Sequence, residues 1–307
     1  MRATFFDTLY EAAKADPRII LVNPDTGGYH CIAHTKNLPE QYVNIGIAEQ
    51  NSIGFAAGLA LEGKLPFVYN ILAFATFRCY EQIRLDVCSM NLPVTVVGVG
   101  LGFDYSALGP SHQATEDVAV MRALPGLTIL SPADDHMAAK MVDYCIQAPG
   151  PKYLRLDRQG TPLVYESSLP EMETGWHRLL TGREVVIVAT GRMVPYAIKV
   201  AEKLRESSVE AGVIDLFKLK PFPEESLCEE LSSCSCVASL EEHFVTGGIG
   251  TAILEALSSQ GILLPVHRFG IDDAFCRVYG ERHYLLKHHE LDAESVAKKL
   301  LKRIRKN

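Results

Sequence analysis

Residues 41–82 read QYVNIGIAEQNSIGFAAGLALEGKLPFVYNILAFATFRCYEQ, and the fold follows from how this stretch alternates. Residues 42–45 are apolar and rich in β-formers, which predicts a short buried strand. Residues 50–61 carry Ala56, Ala57, Gly58 and Ala60 and predict a helix whose small side chains permit close packing. Residues 67–70 predict the next strand. One long helix should follow, with Phe74, Phe77 and Tyr80 at intervals of three and therefore on one side. A single carboxylate, Glu49, stands where the first strand gives way to its helix, the end at which open α/β sheets place their ligand chemistry. Taken alone, that glutamate is explained by a helix dipole and the aromatics by an ordinary core.

The alternation continues outward in both directions. Residues 2–15 predict an amphipathic helix and 18–22 a strand, with Asn23-Pro24-Asp25-Thr26-Gly27-Gly28 as the loop at its carboxyl end. Further strands are expected at 94–98, 127–130 and 152–156, and helices at 115–124 and 134–147. Residues 98–109 form a glycine-rich loop whose spacing is not GxGxxG. Residues 162–183 are polar, hold Pro170 and the only tryptophan, Trp176, and predict an interdomain linker. A second alternating unit fills 184–307, with strands at 185–190, 211–216, 236–240 and 265–269 and helices near 194–205, 224–231, 250–258 and 293–305. The fold class expected is α/β, with two doubly wound, mainly parallel-sheet domains over 1–161 and 184–307.

Bulk properties exclude several classes. Hydrophobic residues make up 48% and charged residues 22% of the 307, which fits a globular protein with real cores. The net charge of -7 argues against nucleic acid as a partner. No run approaches the roughly 20 apolar residues needed to cross a membrane. The opening MRATFFDTLYEAAKAD lacks the apolar core of a signal peptide and reads as a helix. Eight cysteines without a CxxC pair predict reduced thiols and a cytoplasmic location. Cys234 and Cys236 are poorly spaced for zinc, and no metal site is expected from this chain alone. The basic KKLLKRIRKN reads as cations at a helix carboxyl end.

NIGIAEQN followed by AFATFRCYEQIR resembles the pyrimidine-binding domain of thiamine-diphosphate enzymes of the transketolase family. That family also includes 1-deoxyxylulose-5-phosphate synthase and the β subunits of 2-oxoacid dehydrogenase E1. The resemblance continues through GPSHQATED (109–117), LPGLTILSPAD (124–134) and YLRLDRQG (153–160), and resumes at SLEEHFVTGGIGTAILEAL (239–257). It thus spans nearly the whole chain. It implies that Glu49 is the glutamate that bonds the aminopyrimidine ring and favours the tautomer able to take the C2 proton. A carboxyl in a mostly apolar site suits this role, because burial lets it hold and share a proton. By the same resemblance Phe74, Phe77 and Tyr80 form the aromatic pocket of the pyrimidine, and Asp25 is an acidic residue near the cofactor. His112, within GPSH, faces the substrate's carbonyl and hydroxyl groups. Arg158 and Arg2 match arginines that grip a sugar phosphate with their planar forks. Gly247, Gly248 and Gly250 suggest a phosphate cradle at a helix start, whereas the resemblance makes this second domain a support for the dimer.

Two departures shape the expected function. The family's usual Asp-Gly-Pro before Thr-His is here Ala107-Leu108-Gly109-Pro110-Ser111-His112, with Leu108 in the acidic position, which points to an unusual or deoxygenated sugar. The GDG…Asn motif that holds the diphosphate through Mg²⁺ is absent, and Arg2 already begins the pyrimidine domain. The expectation is therefore the C-terminal half of a split transketolase, one subunit of an enzyme that moves a two-carbon ketol unit between sugars or sugar phosphates. The octahedral Mg²⁺ site would lie on a separate N-terminal subunit, in an α2β2 assembly. An E1 β-like or deoxyxylulose-phosphate-synthase-like subunit is the alternative within the cofactor class. A non-catalytic scaffold is the alternative outside it, against which Glu49, Phe74, Phe77 and His112 argue.

Overall fold

Helix and strand alternate through the first half of the computed structural model, which describes residues 1–166 and 168–305. The order is α1 (Arg2–Ala15), β1 (Ile19–Asn23), α2 (Ile32–Asn37), β2 (Tyr42–Asn44), α3 (Glu49–Leu61), β3 (Leu65–Ile71), α4 (Leu72–Thr76), α5 (Tyr80–Gln82), β4 (Thr95–Val99), α6 (Asp117–Arg122), β5 (Thr128–Leu130), α7 (Asp135–Gln147) and β6 (Lys152–Leu156). The second half holds β7 (Trp176–Leu180), β8 (Val185–Ala189), α8 (Met193–Glu206), β9 (Ala211–Leu216), β10 (Lys218–Lys220), α9 (Glu224–Leu231), β11 (Cys236–Phe244), α10 (Ile249–Ser259), β12 (Val266–Ile271), α11 (Arg282–His288) and α12 (Ala293–Ile304).

Two sheets result. The first has the order β10-β5-β6-β4-β3-β1-β2 and the second β12-β11-β8-β9-β7. Both are parallel except for one antiparallel edge strand each, β10 against β5 and β7 against β9. Successive strand residues enter opposite apolar layers, as a pleat buried on both faces requires. Leu21, Val97, Leu154, Val185 and Ile187 enter one layer, and Val22, Val96, Tyr153, Val186 and Val188 the other. Each layer draws on both halves of the chain, so the two sheets share their cores.

Side-chain caps fix two of the helix starts. The carboxylate of Asp134 accepts the Met137 amide at 2.9 Å ahead of α7, and Asp292 accepts the Ser295 amide at 3.1 Å ahead of α12, each satisfying an orphan donor. Asp134 also accepts the amides of Val164 and Tyr165 at 2.8 and 2.9 Å, which ties down the segment crossing between the sheets. Lys302 and Arg303 fall in the last turn of α12, where the dipole favours cations; Lys306 and Asn307 lie outside the described residues.

Several expectations are corrected. The strand at 42–45 is not buried; as β2 it is the sheet edge, half-buried to exposed. The single long helix after β3 is broken into α4 and α5, followed by a wide π-turn at Ile83–Cys88. The Thr76 hydroxyl donates back to the Leu72 carbonyl at 2.8 Å, a bond that bends helices. The expected linker at 162–183 is not linker throughout, because β7 within it completes the second sheet. Strand β10 carries no sequence signal, yet it crosses back to the first sheet and sets Lys218 opposite Leu130. A pairing partner so distant in sequence leaves no local pattern.

Candidate active site

The carboxyl ends of the parallel strands gather most of the singled-out residues. Asp25 follows β1, Glu49 follows β2, Phe74 and Phe77 follow β3, His112 lies on the loop after β4, and Arg158 stands two residues past β6. A doubly wound sheet puts its ligand crevice at this end. Asp25 is exposed and holds a positive φ of 60°, a conformation that aspartate tolerates better than most residues. Its carboxylate accepts the Asn44 side-chain amide at 2.9 Å, which joins the ends of β1 and β2.

Glu49 is the first residue of α3 and only 7% exposed. It is not in the apolar setting expected of it. The guanidinium of Arg78 donates from Nη1 to Oε1 at 2.5 Å and lies 4.2 Å from the centroid of the Phe74 ring. Oε2 has no hydrogen-bond partner among the described residues. Sequence reasoning passed over Arg78 because residue i+1 on a continuous helix points away from its neighbour's face. Here the helix breaks around it.

The three aromatics separate into two groups. Phe74 and Phe77 are half-buried and belong to neither apolar layer, whereas Tyr80 packs against the layer formed by α3 and its neighbours. Phe74 meets His112 edge to face at 4.9 Å. Phe74 is already covered by Arg78, but the Phe77 ring has no such partner among the described residues, and beside a buried carboxylate with one free oxygen it fits a flat heterocycle carrying a ring nitrogen. Phe77→Ala should therefore weaken thiamine diphosphate binding to the assembled enzyme by about tenfold, the upper range of one aromatic contact. Its melting temperature should move by less than about 3 °C. Titration calorimetry alongside a melting curve checks this; a lowered melting point with unchanged affinity would return Phe77 to the core.

Beyond Phe74 the site becomes basic. The His112 Nδ1 lies 2.9 Å from the Ser111 hydroxyl. Burial, and then the Arg78 cation, hold His112 below the ordinary imidazole value, so it is neutral near pH 7 and can both donate and accept. Tyr105, which sequence reasoning also missed, lies 5.9 Å from His112 and beneath the Arg158 guanidinium at 4.8 Å. Its ring fills the space above Gly100, where a Cβ would overlap it. Arg158 enters no ion pair among the described residues, so a surface salt bridge does not account for it. Arg2 is close enough for its charge to act on Tyr69 and Tyr105, and its buried Nε has no partner. The structure thus brings Arg2 and Arg158 to one phenol. Leu108, half-exposed, ends the turn beside them.

The glycines before α10 do not form an open anion cradle. Glu241 already accepts the amides of Ile249 and Gly250 at 2.7 and 2.9 Å, and a Cβ on Gly248 would strike its carboxylate. The donors and the positive dipole end are satisfied from within the chain.

Residues 1–163 match the family model described as the transketolase pyrimidine-binding domain, and residues 175–296 match the transketolase C-terminal domain. A subunit of an apulose-4-phosphate transketolase from Phocaeicola vulgatus is 35% identical, with 99% of this chain and 97% of the relative covered. A 6-deoxy-6-sulfo-D-fructose transketolase subunit from a Clostridium species is 33% identical over 97% of this chain and 92% of its own. A solved structure described as a split-gene transketolase, inactive β4 tetramer, is 34% identical, with a TM-score of 0.88 and 99% of this chain and 97% of that chain covered.

Proposed function

The chain belongs to the transketolase family, and on that premise we propose that it is the pyrimidine-binding subunit of a split transketolase that moves a two-carbon ketol unit between sugars. A second chain, bearing the GDG…Asn motif, would hold the diphosphate through Mg²⁺, in an α2β2 assembly. The observation that carries this reading is the set at the carboxyl ends of the strands: a buried Glu49 with a free oxygen, Phe74 and Phe77 outside the apolar layers, and His112 in contact with Phe74. The subunit relatives, matched over nearly their whole length, support the split architecture.

When bound, thiamine diphosphate supplies the carbon nucleophile that carries the two-carbon fragment. In this chain Glu49 would meet the pyrimidine ring nitrogen through Oε2, while Arg78 fixes the carboxylate through Oε1. Phe74 and Phe77 line the ring and exclude water. Neutral His112 meets the sugar's oxygens, and Arg158 and Arg2 hold its anionic end. Tyr80 and Asp25 stand further from this chemistry, as packing and loop-joining residues. Leu108 and the basic end stand where the choice of sugar would be made. Free, buried thiols at all eight cysteines support a cytoplasmic location, and no described helix is long and apolar enough to cross a membrane.

The test is a titration of thiamine diphosphate and Mg²⁺ into this chain, into a GDG-bearing partner, and into their mixture, followed by heat. Tight binding is expected in the mixture only. Tight binding to this chain alone would refute the split site. A rate with a ketose donor and none with pyruvate would then separate transketolase from the E1 and deoxyxylulose-phosphate-synthase readings.

A further inference from the structure

We propose that Arg282, on the first turn of α11 in the second half, is a positioning residue that sets the substrate-facing loops of the first half. Its guanidinium grips Glu242 with Nε at 3.0 Å and Nη2 at 2.5 Å. Nη1 donates to Asp157 at 2.5 Å and lies 3.7 Å from Asp104. Each of these carboxylates is bound in turn to the loops at issue. Glu242 accepts the Phe103 amide at 2.7 Å, and Asp104 accepts the Arg158 amide at 2.6 Å. Asp157 and Asp104 immediately precede Arg158 and Tyr105 in the chain. One half-buried cation therefore braces both the loop that carries Tyr105 and His112 and the strand end that carries Arg158.

Two glycines show how closely the halves are fitted here. A Cβ on Gly102 would come within 2.6 Å of the Glu242 side chain, and one on Gly109 within 3.0 Å of the Tyr279 ring. Tyr279, three residues before Arg282, thus rests on the same loop from outside, next to Leu108. The second half makes no contact with the pyrimidine residues through this network, so its influence should fall on sugar binding and not on cofactor binding. Burial and the neighbouring Asp157 push Asp104 up to about 6; Arg192 stands 3.7 Å from Asp157, but among these cations only Arg282 reaches Glu242, Asp157 and Asp104 together. A lysine in place of Arg282 keeps a point charge but not the fork, so it cannot serve Glu242, Asp157 and the loop together.

The inference rests on the transketolase reading for its kinetic part. The experiment compares Arg282→Lys and Tyr279→Ala with the unaltered chain in the partner-loaded enzyme. For Arg282→Lys the KM for a phosphorylated ketose should rise by about tenfold, as expected when groups that grip the sugar's anionic end, and not the reacting groups, lose their bracing. The kcat should stay within about twofold and the thiamine diphosphate affinity should be unchanged, since no cofactor-facing group moves. Tyr279→Ala should raise KM by about threefold with its fold intact. Amide exchange at Phe103 and Arg158, read on this chain alone, should quicken in Arg282→Lys while exchange in β1 and β3 stays as it was. A folded Arg282→Lys protein with unchanged KM and unchanged exchange at those amides would overturn the proposal. So would kcat, KM and cofactor affinity failing together. If Arg282→Lys does not fold, the KM of Tyr279→Ala decides. An unaltered enzyme that turns over no ketose would sink the transketolase reading instead, and the exchange measurement would still decide the role of Arg282.

Discussion

Glu49→Gln is expected to lower turnover of the assembled enzyme by roughly two to four powers of ten, the range for a positioned acid or base, while the chain stays folded. The change is isosteric, and the amide oxygen can still accept from Arg78, so the contact at Oε1 survives. What is lost lies at Oε2, which has no partner among the described residues and is the atom proposed to face the pyrimidine. Stability should change little, because Glu49 is joined to a single half-exposed guanidinium and such pairs contribute about 1 kcal/mol or less. Steady-state rates with a ketose donor, measured beside a melting curve and an assembly assay, check the expectation. Near-normal rates in a folded, assembled variant would remove Glu49 from the chemistry and return it to the dipole role that its place on α3 also allows.

Asp117→Asn is expected to cost about 3–5 kcal/mol of stability at pH 7, the usual loss when one member of a buried ion pair is removed. Asp117 and Arg155 are both almost wholly buried. The pair is bidentate, at 2.6 and 2.9 Å, and the Tyr153 hydroxyl donates to the same carboxylate at 2.7 Å. Burial alone would push the Asp117 carboxyl up, but Arg155 outweighs it and holds the carboxyl below the ordinary aspartate value. The sign of the pH dependence follows. A carboxyl whose folded pKa is depressed contributes its stability above the ordinary value of 3.8 and loses it as pH falls through the folded pKa. The deficit of the variant should therefore be full near neutrality and shrink in acid. Urea denaturation at several pH values measures it. Replacing Asp117 and Arg155 together with apolar residues of similar volume should recover much of the loss, which distinguishes an orphaned charge from a general weakening of α6. A single variant with unchanged stability at pH 7 would show that water reaches Arg155.

Much of the site could be read from the sequence, for different reasons at different residues. Glu49, Phe74, His112 and Arg158 stood out because motif and predicted strand end agreed, and contacts through Arg78 and Tyr105 link them in the structure. Tyr80 was grouped with the other aromatics by its spacing and by the family resemblance. It packs on the core because the helix that spacing assumed is interrupted after Thr76. Tyr105 had no signal in a loop read as plain flexible glycine, although Gly100 is the position that leaves room for its ring.

The sequence by itself determined what local periodicity encodes, the alternation of strand and helix and the α/β class, while the candidate residues at strand ends came from the motifs it shares with a known family. A repeat of two or of 3.6 residues is imposed by each element's own backbone, so it is legible without knowing the partner. Only the tertiary structure decided the contacts whose partners lie far apart in the chain. Arg78 meets Glu49 across 29 residues, and Arg282 meets Asp157 across 125. The three-residue strand β10 pairs with the other half's sheet. Such pairings exist because buried charges and unpaired backbone groups must each find a partner once water is excluded. That demand is met wherever the fold happens to bring two groups together, and nothing within a few residues of either one records it.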